Sequence, residues 1–269
     1  MSKDRFNRER IHDSMMKMVI IRLDYSGVID IKDLVKIFDK HFPRAFKERF
    51  EHHNQEFNIQ LRKEDIESIH KTLSVPINVI SRETITRYHK IQDAACDATL
   101  DISKYYLCMT VKCNNNYDGL DRYVSIIKGA ITTFKKNIPY FSPKRFGLRK
   151  VRIENKRNKE EFNTIFEDNV FFEHDYELDN CIYTGKEYVD IMVLPEVHNL
   201  NINVRAKLEL LKTLDGHSEY MTTLDIDAYY NGDELLNVNL NDLIDEANLY
   251  EFNIYKSCMK ESYLETIYG

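Results

Sequence analysis

Glycine and proline are scarce in this chain, with eight and five among 269 residues. These residues end elements and make tight turns. A chain short of them is expected to form long elements joined by few loops. Their placement excludes more. The two nearest internal glycines, Gly119 and Gly129, stand ten apart, and neither G-x-G-x-x-G nor G-x-x-x-x-G-K-[ST] occurs. Nucleotide binding through those phosphate-cradling loops is therefore excluded.

The length allows one large domain or two small ones, and folding at this size buries roughly three quarters of the chain's surface. Apolar residues make 43% and charged residues 30%, which reads as a globular protein. The formal net charge of −6 gives no general attraction to nucleic acid or anionic membrane. Cys96, Cys108, Cys113, Cys181 and Cys258 are odd in number and irregular in spacing, with no C-x-x-C. That pattern fits reduced thiols rather than a disulfide framework. No purely apolar run, Met18 to Ile21 among them, exceeds about five residues, and the charged start (Lys3, Asp4, Arg5, Arg8, Glu9, Arg10) has no signal core behind it. A cytoplasmic location without membrane contact is expected.

Residues 16–25 read as a strand, and Ile31, Leu34, Val35, Ile37, Phe38 and Phe42 repeat at helical spacing after a capping Asp30. Ala45 to His53 reads as a continuation of that helix past Pro43, followed by a strand at 57–61 and a short helix at 63–73. Residues 84–92, 98–102 and 105–113 read as antiparallel strands. A turn at 114–119 precedes a strong helix from Leu120 to Asn137. The pattern then restarts: a strand at 146–154, a helical stretch at 159–168, strands at 187–194, 200–211 and 220–230, and a last helix from about Asn239. Thr99 to Tyr106 also matches Thr223 to Tyr230 at six of eight positions. The expected fold is α+β, built as two similarly organised units. These would be 1–138 and 146–269, joined at 139–145, each an antiparallel sheet packed by a long helix.

Tyr117-Asp118-Gly119 opens the long helix, Phe146-Gly147-Leu148-Arg149 begins the second half, and Leu224-Asp225-Ile226-Asp227 lies in a late strand. In these scattered but ordered motifs the chain resembles a sporadically distributed, strain-variable family of uncharacterised bacterial proteins. The resemblance implies no catalytic residue. It implies a context, because patchy families often belong to antiviral-defence or mobile-element loci.

No residue pattern announces a chemistry. His52, His53 and His70 with Glu51 and Glu56 form the densest histidine cluster, but adjacent histidines point apart and no H-E-x-x-H occurs. No metal, cofactor or catalytic residue is expected. Asp225 and Asp227 share one face of a strand, with Asp233 and Glu234 nearby. They could hold a cation or act as a carboxylate pair, or simply line a solvent-facing edge. The most informative feature is a basic segment: Lys144, Arg145, Arg149, Lys150, Arg152, Lys156, Arg157 and Lys159, opposed only by Glu154. Lys150 and Arg152 face one way on their strand, Val151 and Ile153 the other. Such a row could track a phosphate backbone or grip an acidic protein surface, or it could balance the acidic C-terminal region.

The leading expectation is a non-enzymatic interaction protein, a homodimeric adaptor in a bacterial defence or mobile-element system, binding for example a CRISPR effector nuclease. A nucleic-acid binder using the 144–159 segment and a cation-dependent hydrolase using Asp225 and Asp227 are the alternatives.

Overall fold

The structure is a computed structural model. It describes residues 3–43, 45–59, 77–91, 96–113, 117, 119–171, 185–212, 218–232, 235 and 238–269. Its framework is one antiparallel sheet of nine strands: β1 Met16–Ser26, β2 Phe46–Ile59, β3 Ile77–Ile91, β4 Asp97–Ile102, β5 Tyr106–Lys112, β6 Ser142–Lys156, β7 Gly185–Leu194, β8 Leu200–Lys212 and β9 Ser218–Asn231. The order across the sheet is β2-β3-β4-β5-β1-β6-β9-β8-β7. The helices are α1 Ile31–His41, α2 Asp121–Asn137, the single turn α3 Asp168–Phe171, α4 Leu240–Cys258 and α5 Glu261–Ile267.

This corrects the expectation of two units with a sheet each. The first strands of the two halves, β1 and β6, pair with one another from Met16↔Arg152 to Ser26↔Ser142. One continuous core then runs from Leu34 and Phe38 of α1 to Ile244 and Tyr255 of α4. The physical reason lies at the seam. In separate units β1 and β6 would each be an edge strand with a row of unpaired peptide groups. Pairing them removes two edges and merges two small cores into one.

The internal string match also has a local explanation. Thr99 to Tyr106 spans the turn between β4 and β5, whereas Thr223 to Tyr230 lies within the single strand β9. The matched residues do not occupy equivalent places.

A second correction concerns residues 45–53, expected as helix, of which 46–53 lie in β2, paired with β3. Phe46 and Phe50 are four apart, a spacing that fits two strand repeats as well as one helical turn. Phe46 instead packs with Phe38 and Tyr88, ring centroids 6.1 and 5.6 Å away. The helical stretch expected at 159–168 is a short 3-10 turn, Lys159–Thr164, closed by a capping box between Asn158 and Glu161. The helix expected at 63–73 lies outside the described residues.

Alternation along the strands gives the sheet two different faces. Val19, Ile21 and Leu23 of β1, Phe146 and Leu148 of β6 and Leu224, Ile226 and Ala228 of β9 are buried beneath the helices. Helix α4 packs across β6 and β9, and α2 packs between α1 and α4. The other face carries Arg22 and Asp24 of β1, Arg145 and Arg149 of β6, Asp225, Asp227 and Tyr229 of β9 and Arg205 of β8. No described helix covers it.

Candidate functional site

The eight basic residues of the 144–159 segment divide by strand parity. Lys150 and Arg152 do face the same way, but that way is inward. Each side chain is 2% exposed. The Lys150 Nζ donates to Asn248 Oδ1 at 2.8 Å and lies 2.6 Å from Glu251 Oε2. Arg152 reaches Glu251 Oε1 through Nη1 and Asp13 Oδ2 through Nε, both at 2.6 Å. Its guanidinium carbon sits 3.9 Å from the centre of the Tyr255 ring. Two cations thus meet two carboxylates inside the molecule.

The pKa directions follow from this arrangement. Burial pushes the Lys150 ammonium down, against the pull of Glu251. For Glu251 burial works toward the neutral form, but Arg152 and Lys150 together hold its carboxyl below the ordinary value.

Arg145 and Arg149, of the opposite parity, turn to the uncovered face. Arg149 makes a fork with Asp225, Nε–Oδ1 at 2.7 Å and Nη2–Oδ2 at 2.5 Å. Arg145 binds Asp227 at 3.0 Å while lying 4.6 Å from the Tyr229 ring centre. Lys156 pairs with Glu154 at 2.7 Å. Lys144 and Arg157 are exposed, and Lys159 is partly so.

Asp225 and Asp227, the expected carboxylate pair, do share a face. Each is engaged by an arginine of the neighbouring strand. Burial raises the pKa of Asp227, partly offset by Arg145 and Arg149.

The pairing extends across the sheet. Arg22 donates to Asp24 at 2.7 Å and sits 4.4 Å from the centre of the Tyr106 ring. Arg87 forks onto Asp101 with two bonds of 2.7 Å. Arg205 meets Glu187 at 3.0 Å. Two shallow clefts open between these pairs. One, of about 410 Å³, is floored by Gly147 between Arg22 and Arg145. The other, of about 360 Å³, lies between Arg149, Asn203 and the apolar residues Val189 and Ile191 of β7. Gly147 makes the first cleft possible. A Cβ there would come within 3.1 to 3.3 Å of the Arg145 and Tyr229 side chains.

Sequence reading found Arg145, Arg149, Asp225 and Asp227 but not their mutual pairing. It missed Arg22, Arg87, Asp101, Arg205 and the exposed apolar residues of β7. The Arg145-x-Gly147-x-Arg149 and Asp225-x-Asp227 spacings carried the signal, since each puts its charges on one strand face.

Among the described residues no three His, Cys, Asp or Glu side chains converge as metal ligands. His52 and His53 lie in β2, and His70 lies outside the described residues. Cys96 and Cys113 are buried, Cys108 and Cys258 are free thiols, and burial pushes Cys258 up to about 11. Cys181 is outside the described residues. No described helix is long and apolar enough to cross a membrane. The chain matches no family model and no curated protein, so its function is read from this geometry.

Proposed function

We propose that the protein is a non-enzymatic interaction protein that docks a protein partner on the uncovered face of its sheet. The observation that carries this reading is the ladder of pre-formed arginine–carboxylate pairs on that face. Arg22, Arg145 and Arg149 are pinned by ion pairs, and two of them also by an aromatic ring. Arginine and tyrosine held rigid on strands supply recognition at little cost in ordering. Because each of these cations is matched by a carboxylate, the face offers alternating charge to a protein surface rather than a uniform basic track to phosphates. The setting in a bacterial antiviral-defence or mobile-element system rests only on the resemblance of the Tyr117, Gly147 and Leu224 motifs.

The test is quantitative capture from lysate of the native source. Arg22→Glu and Arg205→Glu reverse half-exposed charges on the face. The expected result is a protein retained by the wild type, lost by the double variant, and kept by Leu249→Ala on the helical side. Retention of nucleic acid instead, with binding that falls steeply as salt rises, would overturn the reading.

A further inference from the structure

We propose that a second copy of this chain pairs edge to edge with β7, antiparallel, about a two-fold axis at Ile191. This deepens the interaction reading above by naming one partner, and it rests on that reading. β7 ends the nine-stranded sheet. Its ten residues pair with β8 in unbroken register from Gly185↔Glu209 to Leu194↔Leu200. No described strand lies on its other side.

An edge like this is usually guarded by charge, proline or a bulge. β7 has no bulge, and Pro195 comes only after it ends. Its one charge within 189–194, Asp190, lines the cleft on the helical side. The uncovered face instead presents Val189, Ile191 and Val193, exposed by 50%, 73% and 53%. Three alternate β-branched side chains left in water suit a pleated, half-buried surface.

The sequence itself selects the occupant. From Val189 to Val193 it reads Val-x-Ile-x-Val in either direction. Antiparallel pairing about Ile191 sets Ile191 opposite Ile191 of the second copy, and Val189 opposite Val193. Asp190 then falls opposite Met192, so the two Asp190 carboxylates stay apart. Moving the axis to Asp190 places those carboxylates face to face, and moving it to Val189 places Ile191 against Glu187. Opposed like charges destabilise a strand pair, and only the axis at Ile191 sets all three exposed residues, Val189, Ile191 and Val193, opposite one another, so that is the self-complementary register. Both copies keep their helices on the same side, and the uncovered faces join into one surface. The interface is isologous and closes after two copies.

Sedimentation velocity from about 1 to 100 µM reads the assembly. The expected result is a monomer–dimer equilibrium for the wild type, weakened at least about tenfold by Ile191→Asp, which opposes two new carboxylates. Because Ile191 is largely exposed, that variant keeps its fold, and circular dichroism confirms it. Register is read by oxidation: Ile191→Cys alone cross-links the dimer, and Val189→Cys alone does not. A wild type that stays monomeric throughout, a dimer unaffected by Ile191→Asp, or cross-linking through Val189→Cys but not Ile191→Cys overturns the proposal. Any of these leaves the docking face to be judged separately by Arg22→Glu and Arg205→Glu.

Discussion

The ammonium of Lys150 and the carboxylate of Glu251 lie 2.6 Å apart, both almost wholly out of solvent, and they join the interior strand β6 to helix α4. Glu251 also accepts from Arg152, so a single carboxylate bridges two strand cations, and Asp13 supplies the second negative charge. This contact decides where the basic segment goes. Two of its charges hold the fold together, and the remainder divides between the uncovered face and the end of β6.

Removing that carboxylate leaves two buried cations short of a partner. Glu251→Gln is expected to cost about 3–5 kcal/mol in urea unfolding. Adding Lys150→Met to it should recover part of the loss, because the glutamine still accepts from Arg152 while the orphaned ammonium is gone. Equal stability of the single variant and the wild type would contradict the account.

The same pair sets the acid limb of stability. The pKa of Glu251 is depressed in the folded chain, so its contribution is full above the ordinary carboxylate value of about 4.3 and is lost as pH falls through the lowered one. Lys150 is also depressed and acts with the same sign at alkaline pH, stability rising toward the ordinary lysine range. Unfolding free energies followed from about pH 3 to pH 6 should climb with pH, and Glu251→Gln should flatten that slope. A parallel slope in the variant would exclude Glu251 as its source.

Gly27 directly follows β1 with φ of +87°, and a Cβ there would stand 1.6 Å from the Tyr140 carbonyl oxygen. Gly27→Ala must therefore adopt a left-handed conformation, worth about 1–2 kcal/mol, and also push the 139–140 backbone away. A loss of at least about 2 kcal/mol is expected by thermal or chemical denaturation. A change within about 0.5 kcal/mol would show that this contact is absent in solution.

Asp225 and Asp227 are already occupied by Arg149 and Arg145. Millimolar magnesium, calcium or manganese is therefore expected to leave the melting temperature unchanged. Asp225→Asn should cost no more than about 1 kcal/mol, since its arginine is 43% exposed and screened by water. A rise in melting temperature with one of these ions, abolished in Asp225→Asn, would favour the hydrolase reading instead.

Local pattern carried some of this structure and not the rest. Alternation in β1 and the apolar repeat of α2 come from strand and helix periods, and both elements form where those periods place them. The joining of β1 to β6 is a long-range choice, and nothing within either strand encodes its neighbour. The inward turn of Lys150 and Arg152 had a legible partner that charge counting overlooked. The helical repeat of α4 puts Asn248 and Glu251 on the same stripe as Ile244, Ala247 and Tyr255, two polar residues at core positions. A buried carboxylate on a helix calls for a buried cation opposite it, and β6 supplies two. The pairing across the uncovered face depends on the β6–β9 register, Arg149↔Asp227 and Val151↔Asp225, which spacing along one strand does not contain.

The central claim is that the uncovered face receives a partner. Photo-crosslinking residues placed at Lys112 and Lys207 on that face, and at Leu249 on the helical side, test it in cells of the native source. The account predicts a discrete protein cross-link from Lys112 and Lys207 and none from Leu249. A cross-link from Leu249 alone would contradict it.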